Sequence, residues 1–294
     1  MKRVFLLVVT NLAVMLMLGV VANVLCALMG TSVAELIGPD YANLAIFAFV
    51  YGFVGAVISL LLSKPMAKFS CRAKTIDGSE GPTERWLVST VEDLARRANV
   101  GMPEVAVYEG PANAFATGAF RNSALVAVST DILRQMTKEE VRAVLGHEMS
   151  HVANGDMVTL TLVQGVLNAF VIFFARVIAS ALANAGRGEG ERRRADGGSF
   201  LVVMVLQMAL GALASVVVCA FSRKREYAAD AGSAHLLGSP QPMIAALRRL
   251  GNLQPGVLPD SLRAFGIGGK TASLLATHPA LEDRIAALQK LTMG

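Results

Sequence analysis

The sequence predicts a mainly α-helical membrane protein: about four transmembrane helices joined to a cytoplasmic α+β portion that contains a small β-sheet. Three observations predict it. Only 17 % of the 294 residues are charged while 54 % are hydrophobic, and an average soluble domain carries about 25 % charge. Mean hydropathy is +0.52. Four apolar stretches reach the ~20 residues a helix needs to cross a bilayer, and basic clusters flank them.

Composition excludes several other classes. The chain is too apolar for disorder and has no glycine period. Its three cysteines, Cys26, Cys71 and Cys219, show no C-x-x-C spacing, so neither a disulfide framework nor a cysteine metal site is expected. The net charge of +5 comes without a basic stripe interleaved with aromatics, which favours a membrane surface over nucleic acid as the partner.

The first apolar stretch, Val4 to about Leu25, follows the basic start Met1-Lys2-Arg3. It exceeds the ~7–15 residues of a signal-peptide core and reads as an uncleaved anchor. The second, about Tyr41 to Leu62, is followed by Lys64, Lys68, Arg72 and Lys74, and only Glu35 and Asp40 charge the intervening loop. The positive-inside rule puts both basic flanks in the cytoplasm. The third, Met157 to about Leu182, carries Gln164, Asn168 and Arg176 along one helical face, which should meet a bundle interior or wet cavity. The fourth, Ser199 to Phe221, ends in the basic stop Ser222-Arg223-Lys224-Arg225. Four segments follow: 1–63, two spans with a short external loop; 64–156, a first cytoplasmic part; 157–221, a transmembrane hairpin; and 222–294, a second cytoplasmic part.

In the first cytoplasmic part, Thr83 to Asn99 has the spacing of an amphipathic helix, with Leu87, Val91 and Leu94 on one face. Glu104–Glu109 and Ala124–Ser129 read as strands, and Phe115–Phe120 pairs with the latter through Arg121-Asn122-Ser123. Thr137, with Glu140 three residues on, is a capping box. It opens a helix that runs to Asn154-Gly155, and the spacing from His151 to the third span is taken along a continuous helix. The helix leaving the fourth span should stop at Gly238 and Pro240. Two more helices follow, near Gln241–Leu250 and Pro279–Leu291.

The Thr137 helix contains His147-Glu148-Met149-Ser150-His151, an H-E-x-x-H. Imidazoles at i and i+4 share a face and can hold one zinc ion from adjacent turns. Glu148 between them is placed to take a proton from a water and pass it to a leaving amine. A catalytic zinc needs a third ligand. Glu226 is the best candidate, because Glu226 and Asp230 share a helix face just after the fourth span. His151 lies six residues before the third span and Glu226 five after the fourth. On antiparallel helices the two would stand at similar height. Asp230 can then accept the second ring N–H of a ligating histidine.

These residues resemble the HtpX family of membrane-bound zinc metalloproteases, relatives of the CAAX prenyl protease Ste24. The resemblance covers nearly the whole chain. It includes Asn113-Ala114-Phe115-Ala116-Thr117-Gly118, Gly146 to His151, Ser222 to Asp230, Thr277-His278-Pro279 and Leu281-Glu282-Asp283-Arg284-Ile285. It implies a gluzincin endopeptidase, with one zinc on His147, His151 and Glu226 and with Glu148 as general base. It also implies that Asn113 binds the scissile peptide and that His278 stabilises the oxyanion. The implied role is cleavage of misfolded membrane proteins at the cytoplasmic face of a bacterial inner membrane, as quality control under stress. A zinc-binding adaptor without chemistry is the competing class, and Glu148 argues against it.

Ala264 to Thr271 approximates a P-loop, but no buried strand precedes it and only 23 residues follow. No nucleotide is therefore expected. His235 reads as a helix-surface histidine.

Overall fold

The computed structural model describes Leu28, Gly30 and residues 41–185, 196–252 and 277–291. The first apolar stretch, the core of the Arg-rich loop and the P-loop-like segment lie outside the described residues. Elements are numbered among the described residues. The chain divides into two compact units, Met1–Ile58 with Thr161–Val218, and Ser59–Leu160 with Cys219–Gly294.

Three long helices carry the apolar stretches: α1, Tyr41–Cys71; α5, Asp156–Ala185; and α6, Asp196–Leu237. Among the described residues, Ala42–Cys71, Asp156–Leu182 and Leu201–Leu237 are long and apolar enough to cross a membrane. Within the first unit, Leu44 is buried among Phe47, Phe173 and Val177. Gln164 donates to Asn168 at 2.9 Å, and the Arg176 guanidinium lies 5.4 Å from the Phe47 ring centroid. Asn168 and Arg176 are both half-buried, so this polar stripe finds partners inside the unit.

The second unit is built on a four-stranded mixed sheet of order β1-β2-β4-β3, comprising Lys74–Ile76, Glu104–Tyr108, Ala114–Thr117 and Leu125–Ser129 for β1 to β4. β2 and β4 run parallel. The β1–β2 and β3–β4 pairs are antiparallel. The expected Phe115–Phe120 strand starts one residue earlier and ends at Thr117, where Gly118 turns the chain at φ 136°.

Strand alternation sorts side chains to two cores. On one face Val105, Ala116, Val126 and Val128 meet Leu87, Val91 and Leu94 of α2 (Pro82–Arg97) and Val144, Leu145 and Met149 of α4 (Lys138–Asn154). Burying each of these large side chains is worth about 1.5–3 kcal/mol. On the other face Tyr108, Phe115 and Leu125 meet Ala67 and Cys71 of α1. Short helix α3 (Thr130–Gln135) leads into α4. The remaining helices are α7 (Gln241–Asn252) and α8 (Leu281–Gln289).

The capping box is present: the Thr137 side chain accepts from the Glu140 N–H, and the Glu140 carboxylate accepts from the Thr137 N–H at 2.8 Å. The helix ends where expected, at Asn154-Gly155, so the path from His151 to the third span is not one continuous helix. α4 stops at Asn154 because Gly155 takes a left-handed conformation, φ 66°, and its N–H returns to the carbonyls of His151 and Val152. Such a glycine ends a helix at little steric cost. Asp156 then begins α5. The helix carrying Glu226, by contrast, continues without a break from its span to Leu237.

Candidate metal centre

α4 presents His147 and His151 one turn apart, with their Nε2 atoms 3.1 Å apart. α6 brings Glu226 opposite them: Oε2 is 3.5 Å from His147 Nε2 and Oε1 is 3.4 Å from His151 Nε2. One ligand atom from each of the three residues lies within 4.8 Å of the others, and all three residues are buried. The close approach of α4 and α6 depends on Gly146. A Cβ there would stand 2.8 Å from Ser233 Oγ, which donates to the Ala143 carbonyl at 2.7 Å.

The second ring nitrogens explain why this cluster suits a cation. His147 Nδ1 lies 2.9 Å from Asp230 Oδ1, and His151 Nδ1 lies 2.5 Å from Asp156 Oδ2. A carboxylate at Nδ1 holds the proton there, so each Nε2 turns a lone pair toward the other and toward Glu226. Glu226 Oε2 is buried and has no hydrogen-bond donor with good geometry. Converging lone pairs from two imidazoles and a carboxylate form a donor set that fits a divalent transition metal.

The local field favours positive charge in this pocket, a proton on the rings or a metal ion in its place. Burial opposes a charged His151, yet the Asp156 and Glu226 carboxylates outweigh it and push its pKa up to about 10. For Glu226, burial works against ionisation, but the surrounding histidines hold its carboxyl well below the usual carboxylate range. Glu148 behaves differently. Burial pushes its pKa up, and the neighbouring histidines only partly oppose this. Its Oε2 accepts the Ala116 N–H of β3 at 2.8 Å, which ties the carboxylate to the edge of the sheet. A carboxylate made more basic by burial is better suited to take up a proton.

Each expected site residue has a definite place. Asp230 meets His147, and it shares a helix face with Glu226. His278 is buried, with Nδ1 2.8 Å from Glu226 Oε2, so the segment before α8 reaches the cluster. Asn113 is buried one residue before β3. Its side-chain amide donates to the Tyr108 hydroxyl at 3.2 Å, and its backbone N–H donates to Ser129 Oγ at 2.9 Å. His235 is exposed.

Two residues of the cluster escaped sequence reasoning. Asp156 follows the Gly155 turn, so its offset of five from His151 matches no helical face. Its other oxygen, Oδ1, is 3.1 Å from Arg225 Nε. Arg284 of α8 is fully buried. Its Nε donates to Asp230 Oδ2 at 2.8 Å and its Nη2 to Asp230 Oδ1 at 2.6 Å. Nη1 stands 3.3 Å from Glu226 Oε2. A signal for it existed: Leu281, Arg284 and Leu288 share the buried face of α8, which is an unusual place for a guanidinium unless it is paired.

The family model for peptidase family M48 matches residues 82–292. The chain belongs to peptidase family M48. It is a metallopeptidase. A protease HtpX homolog of Verminephrobacter eiseniae is 55 % identical to this M48 peptidase over 293 residues, 98 % of each chain. A protease HtpX homolog of Bordetella pertussis is 53 % identical over 302 residues, covering both chains completely. Among solved structures, Ste24p of S. mikatae is similar at a TM-score of 0.62 and 18 % identity, over 96 % of this chain and 66 % of that one. At that identity the similarity speaks for the fold. Together with its long apolar helices, these relatives make this M48 metallopeptidase an integral membrane protein.

Proposed function

We propose that this protein is a zinc-dependent endopeptidase of a bacterial inner membrane, with its active site facing the cytoplasm, and that it cleaves misfolded or damaged membrane proteins in quality control under stress. The observation that carries the chemistry is the cluster of His147, His151 and Glu226, with Glu148 beside it. The HtpX homologs support the protease reading. The basic flanks of the apolar stretches support the orientation. Membrane proteins as substrates are supported by Glu226 standing on a helix continuous with an apolar stretch and by His151 lying five residues before the start of another.

In this reading His147, His151 and Glu226 hold one zinc ion, while Asp230 and Asp156 fix the ring orientations. Bound zinc supplies Lewis acidity, polarising the scissile carbonyl and lowering the pKa of a water toward about 7. Glu148 takes that water's proton as it attacks and later delivers it to the leaving nitrogen. The raised pKa of Glu148 favours the first of these steps, proton uptake, and its hydrogen bond to Ala116 keeps the carboxylate oriented. His278 stabilises the oxyanion that develops on the substrate carbonyl. Asn113, at the start of the edge strand, binds the scissile peptide as that peptide lies along β3.

The test is hydrolysis of casein by full-length protein purified in detergent with chelator, zinc being restored at assay. Zinc-dependent cleavage is expected, and Glu148→Gln should lower its rate about 10²–10⁴-fold while binding zinc as tightly. Absence of cleavage by wild-type protein shown to bind zinc would overturn the peptidase reading in favour of an adaptor.

A further inference from the structure

The last turns of α1 and the turn between β3 and β4 share a feature that the metal centre does not use. Leu62, Met66 and Phe69 share one face of α1 at i, i+4 and i+7, and Met66 and Phe69 are 55 % and 83 % exposed. Lys64 and Lys68 lie on the opposite side, and both pair with Glu104 at the start of β2, Lys64 at 2.7 Å. The candidate span Ala42–Cys71 has 30 residues and is therefore about 45 Å long. That matches hydrocarbon core plus headgroups, not the ~30 Å core alone. Lys64, about 10 Å from the helix end, stands at headgroup depth, with the apolar stripe continuing past it.

Lys64 also fixes the β3–β4 turn. Its ammonium donates to the Ser123 carbonyl at 3.3 Å, and the Ser123 N–H donates to the Phe120 carbonyl at 3.0 Å. The turn is braced from behind: the Gly101 N–H donates to Asn122 Oδ1 at 2.9 Å, and Arg121 reaches the Asn99 carbonyl at 3.5 Å. This well-held turn nonetheless exposes 65 % of Phe120, next to the exposed base Arg121 and on the turn that Lys64 holds through Ser123. An exposed aromatic ring at headgroup depth with basic neighbours is the pattern of an interfacial anchor on anionic lipid.

We propose that the turn Gly118–Ser123 is a second membrane contact of this protein, with Phe120 entering the acyl–headgroup boundary of the leaflet that Lys64 reaches. Phe120 is four residues beyond Ala116, no more than about 14 Å of chain, and Glu148 accepts the Ala116 N–H. The end of the edge strand that leads into this turn thus lies at the bilayer surface. Resting on the peptidase reading above, this selects substrate segments that have only just left the membrane and disfavours distant loops.

The contact is read with Trp86→Phe/Phe120→Trp, whose engineered indole is the chain's only tryptophan, reconstituted full-length in phosphatidylcholine–phosphatidylglycerol vesicles. The expected result is a blue-shifted emission, stronger quenching by lipid brominated near the headgroup than by lipid brominated near the chain end, and loss of the iodide quenching seen in detergent. Iodide quenching as strong in vesicles as in detergent, with no effect of brominated lipid, overturns the proposal. It would leave Phe120 free for a protein partner instead. Phe120→Ser separates the consequence. Casein hydrolysis in detergent should be unchanged, while cleavage of a single-span reporter cut next to its span should fall, and a longer spacer should restore it. Equal loss at every spacer length overturns the selection. If the wild type cuts neither substrate, the peptidase reading fails, while the quenching result still decides the membrane contact.

Discussion

At the scale of single residues, the carboxylates behind His147 and His151 orient the two rings, and in the proposed reading they decide how well a metal is held. Asp156 sets the ring of His151 and is itself paired with Arg225. Replacing it with alanine frees the ring and its tautomer, so metal affinity should fall about 10–100-fold. Asp156→Asn should lose less, since an amide oxygen still accepts the Nδ1 proton. Competition against a chromogenic chelator measures both without any assay of activity. Arg284 carries a different load. Burial disfavours its charge, but Asp230 and Glu226 outweigh that and keep it ionised. Arg284→Met would strand two buried carboxylates, a loss of about 3–5 kcal/mol. Thermal unfolding should report it as a large drop in Tm, while Arg284→Lys falls between the two, since a single ammonium cannot reproduce the two-pronged contact.

At the scale of elements, the end of α1 is tied to the sheet through Glu104. Hydrogen bonds from Lys64 and Lys68 hold its carboxyl below the usual range despite some desolvation. A carboxyl with a lowered folded-state pKa adds stability above its unfolded value of about 4.3, and loses it as pH falls through the folded value. Glu104→Gln should therefore cost most near neutrality, under about 1 kcal/mol because the side chain is 40 % exposed and solvent screens the pair. The Tm gap between wild type and variant should close as pH drops below about 4. The helix boundaries show the same local logic. The Thr137 capping box was readable because its donors and acceptors lie within four residues. The stop at Asn154-Gly155 was readable too, because a glycine adopts the positive φ of a helix end at little cost; the immediate restart at Asp156, which turns that side chain onto His151, was not.

At the scale of the whole molecule, the metal cluster joins two stretches of chain far apart in sequence. Metal bound to the folded state alone stabilises it by mass action, about 2.7 kcal/mol at a hundredfold excess over Kd. Removing metal with a chelator should lower Tm, and zinc should restore it. The same treatment of a His147→Ala/His151→Ala variant should change Tm little. The sequence by itself determined the apolar helices, the strand alternation, the capping box and the H-E-x-x-H pair, because each is written in neighbours along one helix or strand. Glu226 and Asp230 were legible for the same reason, as an i, i+4 pair at a span's end. Only the tertiary structure decided that Asp156 turns back onto His151, that Arg284 closes over Asp230, and that Ala116 bonds Glu148. Those contacts join separate elements, 32 residues apart for Ala116 and Glu148 and 54 for Arg284 and Asp230. A buried charge chooses its partner by position in space, and no periodicity along the chain encodes that.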